Sequence, residues 1–96
     1  MHSMQSYVYI LASKAHGTLY VGASSDLKNR IRKHKNESLE GFTKKYEVAT
    51  LVYYEPVATM IEALAREKQL KRWKRGWKIA SIEKINPNWK DLSDEI

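Results

Sequence analysis

The chain is predicted to fold as an α+β domain in the order β-β-α-β-α-α, with a small three-stranded antiparallel or mixed sheet flanked by helices. Three observations lead there. Two short runs rich in Tyr, Val, Ile and Leu, residues 7–13 and 18–23, are separated by a polar turn, the pattern of a β-hairpin. A third run of the same character spans Val48–Glu55. Helix-start signals stand after the second run and again after the third, each followed by a basic amphipathic stretch.

The totals bound the answer. The 96 residues fit one domain, with a core over about residues 6–85 and an acidic tail over residues 90–96. No apolar run approaches the roughly 20 residues that span a membrane, and Met1–Ser6 carries no secretory signal pattern. Cysteine is absent, which removes disulfides, thiolate nucleophiles and cysteine zinc sites and suits a cytoplasmic protein. The net charge of +6 is unevenly spread. Lys28–Lys35 holds five Lys/Arg and no acid, while Arg66–Lys78 holds seven against one acid, Glu67. The acids Asp91, Asp94 and Glu95 gather at the C-terminus. Clustered cations favour a polyanionic partner, nucleic acid before membrane.

Each element has a local reason. Residues 13–17 form the hairpin loop, with Gly17 able to take a positive φ. Ser24, Ser25 and Asp26 supply N-cap candidates for a helix running to about Asn36 or Glu37. Asn36–Lys45 is polar and reads as a loop. Pro56 lacks an N–H and is expected to end the third strand. Thr59 and Glu62 match a capping box, opening a helix to about Arg75, with Gly76 as its stop. A shorter helix follows over Trp77–Ile85, before Asn86-Pro87, and the tail beyond Asp91 is expected to fray. Trp73, Trp77 and Trp89 are expected to pack the terminal helices onto the sheet, with base stacking by one of them as the lesser alternative.

Side-chain periodicity then sorts the polar residues. Leu27, Ile31 and His34 share one face of the first helix, and Arg30 lies at its border beside His34. In the second helix, at about 100° per residue, Met60, Ala63, Leu64 and Leu70 form one apolar side. Glu67 falls within it and Glu62 points away. A carboxylate in an apolar stripe is costly unless paired or bound to a cation. Lys71, four residues on, is one partner for it, and a metal ion in phosphate chemistry is the other. Tyr7 and Tyr9 share a strand face, and Tyr20 on the neighbouring strand can approach them. Such a tyrosine acts as a general base when nearby positive charge lowers its pKa. Tyr53 and Tyr54 read as cross-strand packing. The histidines have no zinc-ligand spacing, and the scattered glycines form no phosphate-binding loop.

Assembled, these residues resemble the GIY-YIG nuclease family, which is named for two strand motifs in a hairpin. The motifs correspond here to Tyr7-Val8-Tyr9 and Tyr20-Val21-Gly22, with Tyr7 in place of the first glycine, as in small single-domain bacterial members. The helix arginine corresponds to Arg30, with His34 one turn later. The stretch Glu62–Lys71 matches the family's glutamate helix, and the carried-over glutamate is Glu67.

The resemblance covers about residues 6–85 and implies a GIY-YIG-like fold and metal-assisted phosphodiester hydrolysis. Glu67 would hold a divalent cation, Mg²⁺ or alternatively Mn²⁺, and Arg30 would stabilise phosphoryl charge. Tyr9 or Tyr20 would orient or deprotonate the water, and His34 would assist. Nucleic acid, DNA ahead of RNA, would be held through its backbone by Lys28, Arg32, Lys33, Lys35, Lys68, Lys71, Arg72, Lys74 and Arg75. A protein partner could direct it to a target such as a structured or repair intermediate. Two alternatives stay open: a binding module with a degenerate nuclease fold, and an accessory interaction subunit that does not cleave.

Overall fold

A computed structural model describes residues 5–36 and 48–96. The order is β1 (Ser6–Ala12), β2 (Leu19–Ser24), α1 (Leu27–Asn36), β3 (Thr50–Val57), α2 (Met60–Arg72), α3 (Arg75–Ile85) and a 3₁₀ turn at Leu92–Glu95. The loop expected over Asn36–Lys45 lies outside the described residues after Asn36.

The sheet order is β2-β1-β3, antiparallel throughout, so the predicted α+β class and the three strands are present. Alternation along β1 divides the interior. Val8, Ile10 and Ala12 point to one face, where they join Val21, Ala63, Leu70, Ile82 and Trp89 beneath α2 and α3. Tyr9 and Leu11 point to the other, with Leu27 and Ile31 of α1 and Leu92 of the 3₁₀ turn. The sheet is therefore covered on both sides, which is why β1 reads as an almost continuous apolar run. Each large apolar side chain buried in these layers contributes roughly 1.5–3 kcal/mol.

The register explains a local irregularity. Ile10 pairs with Tyr53 and Leu11 with Leu51, which leaves Val52 as a bulge. Val52 and Tyr53 consequently serve the same face. The buried Asn86 amide donates to the Val52 carbonyl at 3.1 Å and to Lys90 O at 2.9 Å, satisfying backbone acceptors near the bulge.

Five expectations are corrected. Pro56 does not end β3, because β3 is an edge strand and tolerates a missing N–H; Pro56 pairs with Tyr7. The helix expected to reach Arg75 ends at Arg72, where Trp73 turns extended (φ −66°, ψ 146°), and Gly76 sits in the first turn of α3. In the hairpin loop the positive φ belongs to His16 (57°) and not to Gly17. A Cβ at Gly17 would collide with Ser13 Oγ and the Lys14 chain, so that glycine is needed for room.

The tail is also docked, not frayed. Leu92 is buried, and Asp91 Oδ1 accepts from Leu51 N at 3.3 Å and Ser93 N at 3.1 Å. Its Oδ2 meets Lys35 Nζ at 2.6 Å. Finally, Trp89 packs in the core and Trp73 against it, but Trp77 is 60% exposed.

Candidate active site

The hairpin and α1 build one cluster. Tyr9 lies at the centre of β1, opposite Gly22 of β2. Its ring crosses the neighbouring strand at that point: a Cβ on residue 22 would lie 2.6 Å from both Cζ and the hydroxyl of Tyr9. Glycine at 22 is what lets the ring lie flat on β2 and aim its hydroxyl at α1. The Asp26 side chain caps α1, accepting from Asn29 N at 3.3 Å. Leu27, Ile31 and His34 then turn inward as their spacing predicts, and all are buried.

Four expected residues meet there. The Arg30 Nε–H donates to the Tyr9 hydroxyl at 3.4 Å, and that hydroxyl is 3.4 Å from His34 Nε2. Ring centroids stand 6.5 Å apart for Tyr9–Tyr20, 6.2 Å for Tyr9–His34 and 5.6 Å for Tyr20–His34. Tyr9 is 0% exposed and His34 2%, whereas Tyr20 and Arg30 are half-buried at the mouth. The hydrogen bond to Tyr9, with a smaller contribution from Tyr20, raises the Arg30 guanidinium above its usual pKa against the opposing effect of burial. A cation fixed between two phenol oxygens and bordered by an imidazole is suited to binding a phosphoryl oxygen and handling a proton beside it.

Glu67 is presented by α2, the helix whose buried residues belong to the opposite layer. It completes the stripe Met60, Ala63, Glu67, Leu70, its side chain 18% exposed, while Leu64 is turned out at 49%. Glu67 Oε2 pairs with Lys71 Nζ at 2.8 Å. Glu62 is exposed, and its amide is capped by Thr59 Oγ1 at 3.1 Å, as the capping box predicts. Both α1 and α2 pack against β2. That edge strand therefore separates the hydroxyl–arginine cluster from the carboxylate.

The candidate backbone-binding cations divide by partner. Lys28, Arg32 and Lys33 are exposed on α1, and Lys68, Arg72 and Lys74 along α2 and its end. Lys35 and Lys71 are held by Asp91 and Glu67. Arg75 instead donates to the His16 and Gly17 carbonyls, each at 2.6 Å, tying α3 to the hairpin loop.

Sequence reasoning did not find the partners of Arg66. Its Nε–H donates to Glu55 Oε1 at 2.7 Å, and its guanidinium lies 5.0 Å from the Trp73 ring. Burial acts to raise the Glu55 carboxyl, but the bonds from Arg66 and Tyr53 outweigh it and hold it below the usual range. Burial and Glu55 together push Tyr53 up to about 12. No spacing in the chain links Glu55 to Arg66, because the pair joins a strand to a helix. Among the described residues no group of three or more His, Asp or Glu side chains is placed to hold a metal ion.

Comparison with known proteins gives a consistent result. The family model described as the GIY-YIG catalytic domain matches residues 5–80. A UPF0213 protein of Staphylococcus saprophyticus is 40% identical over 76 residues, covering 79% of this chain and 92% of that protein. A UPF0213 protein of Bacillus pumilus is 33% identical over 85 residues, covering 88% and 86%. The solution NMR structure of a UPF0213 protein from Bacillus halodurans superposes with a TM-score of 0.56 at 26% identity, covering 93% and 94% of the two chains.

Proposed function

The chain belongs to the GIY-YIG catalytic-domain family and is similar along most of its length to UPF0213 proteins, and from that premise we propose that it is a metal-dependent endonuclease acting on DNA. The observation that carries this reading is the convergence of Tyr9, Tyr20, Arg30 and His34 on one point beside an edge strand. The scissile phosphate is proposed to lie along the β2 edge, between α1 and α2.

The residues divide the work. Arg30, its Nε–H donating to Tyr9, presents its positive charge to a phosphoryl oxygen and stabilises charge that grows in the transition state. Tyr20 is the more exposed phenol and orients the attacking water. Tyr9, fully buried, positions Arg30 and His34. Imidazole is the side chain that exchanges protons near neutrality, and His34, its ring 5.6 Å from that of Tyr20, takes through the Tyr20 hydroxyl the proton that the attacking water gives up. The water oxygen bonds to phosphorus as the phosphorus–oxygen bond to the leaving nucleoside breaks, and the leaving oxygen takes a proton from solvent.

A divalent cation fits this donor set only as Mg²⁺ or Mn²⁺ usually bind in phosphate chemistry, through one carboxylate with water and substrate oxygens as the other ligands. Glu67 is that carboxylate, and Lys71 would release it. A cation held there would supply Lewis-acid polarisation of the phosphate and stabilise the leaving oxygen. Exposed Lys28, Arg32, Lys33, Lys68, Arg72 and Lys74 grip the backbone without reading sequence.

The test is cleavage of labelled single-stranded, duplex and branched DNA, and of RNA. Cleavage of DNA that appears with Mg²⁺ or Mn²⁺ and disappears with EDTA is the expected result. Salt-sensitive binding with no cleavage under any metal would instead make the chain a binding module, a reading that the Glu67–Lys71 pair favours.

A further inference from the structure

At the junction of α2 and α3 an exposed tryptophan that the proposed hydrolysis does not use stands among cations that it does. Tryptophan is costly to leave in water, yet Trp77 is 60% exposed in the first turn of α3. Its neighbours on that face are small or cationic. Ala80 and Ser81, at i+3 and i+4, leave the indole uncovered, Lys84 follows at i+7, and Lys74 precedes it by three residues. Gly76, beside it, has nothing within 4 Å of where a Cβ would be.

The indole is also held in place. Trp73 meets it edge to face, with centroids 6.0 Å apart, and Trp73 is in turn fixed beneath the Arg66 guanidinium at 5.0 Å. Arg66 is anchored by Glu55. A groove of about 830 Å³ runs along α2 as far as Trp73, lined by Lys68, Gln69, Arg72 and Trp73 and also by Glu62. Among the described residues Lys68, Arg72, Lys74, Lys78 and Lys84 have no acidic partner, unlike Lys35, Arg66 and Lys71 on the same molecule. The pattern is a preorganised aromatic face in a field of uncompensated positive charge.

That combination is what binds an unpaired nucleic acid strand: cations follow the phosphates and an indole stacks on a base of any sequence. A duplex hides its bases and offers nothing to Trp77. A protein ligand would want acids opposite the cations but would gain no base to stack. We propose that the α2–α3 junction is a binding surface for single-stranded nucleic acid, with Trp77 as the stacking platform and Arg72, Lys74 and Lys78 on the backbone. This surface lies on the α2/α3 side of the sheet, away from the Tyr9 cluster. The inference stands independently of cleavage, since binding needs no catalysis.

The test is fluorescence anisotropy with labelled oligothymidylate, oligouridylate and a blunt duplex of equal length, in EDTA so that hydrolysis plays no part. The wild-type protein, Trp77→Ala, Trp77→Phe and Lys74→Ala/Lys78→Ala are compared. Trp77→Ala should weaken single-strand binding on the order of 10- to 100-fold, the range for losing one base stack, and leave duplex binding within about twofold of wild type. Trp77→Phe should retain most of the affinity. The double lysine variant should flatten the salt dependence by about 0.7 per cation lost for single strands. Exposure of Trp77 makes misfolding of these variants unexpected, and equal melting temperatures check it. Undiminished single-strand binding by Trp77→Ala would overturn the proposal, as would equal losses on duplex. So would a wild-type protein that binds no oligonucleotide and self-associates or binds anionic vesicles through Trp77.

Discussion

The Tyr9 ring occupies the space that a side chain on residue 22 would need, its Cζ and hydroxyl both 2.6 Å from where a Cβ would stand. The second strand motif thus shapes the first. Gly22→Ala cannot be absorbed by swinging the ring, because Tyr9 is fully buried. The substitution should destabilise by about 1–3 kcal/mol, the usual range for overpacking. Denaturant unfolding of a cycle with Tyr9→Leu, which removes Cζ and the hydroxyl, checks the cause. The double variant should lose less than the sum of the singles, by at least about 0.5 kcal/mol; strict additivity would mean that the contact does not limit the site.

Tyr9→Phe keeps the ring and deletes the hydroxyl that Arg30 Nε–H donates to and that meets His34 Nε2. Loss of that shared partner should cost about 1–3 kcal/mol in urea unfolding. Cleavage should fall by more than the stability loss explains, on the order of 10²-fold, with substrate binding nearly unchanged. A fall in binding alone would remove Tyr9 from the positioning of Arg30.

Asp91 makes stability depend on acid. Burial acts to raise its carboxyl, but hydrogen bonds from Lys35 and Ser93 prevail, and the folded pKa lies below the usual carboxylate range. Above the unfolded value of about 3.9 both states are ionised and the contribution is full. As pH falls below that value the unfolded chain binds the proton first, and the contribution is lost as pH passes through the folded pKa. The difference in urea midpoint between wild type and Asp91→Asn should therefore be constant from about pH 5 to 7 and shrink below about pH 4. A difference that grew on acidification would contradict the docking of the tail through an ionised Asp91.

Arg75 and His16 hold the hairpin loop to α3. The Arg75 guanidinium spans the His16 and Gly17 carbonyls, and the His16 ring lies 4.9 Å from that of Trp89. Arg75→Ala should cost about 1 kcal/mol, the typical worth of such bonds, and speed amide hydrogen exchange over residues 14–18. Unchanged exchange in that loop would show that the strands alone fix it.

Most of the fold could be read from local pattern. The hairpin, the inward face of α1 and the Thr59 cap all follow from residues within one turn or one strand pair of each other. Tyr9, Tyr20, Arg30 and His34 were legible for the same reason, since one hairpin and the next helix carry them all. The errors lie where a distant element decides. Pro56 was misread because edge position depends on sheet order. The tail was misread because Asp91 meets Lys35 and Leu51, far along the chain. Trp77 was misread as core because amphipathic spacing alone does not reveal that α3 turns this residue outward. The fit of Tyr9 on Gly22 depends on register, which composition does not fix.

In the proposed reaction Arg30 and Glu67, presented by helices on the two sides of β2, serve one metal-dependent hydrolysis. The direct measurement is the initial cleavage rate on DNA with Mg²⁺ or Mn²⁺ for wild type, Glu67→Gln and Arg30→Ala purified in parallel. Wild type should cleave, and both variants should fall on the order of 10²-fold or more, with Glu67→Gln retaining DNA affinity and a folded structure. Equal rates in all three proteins would contradict the account.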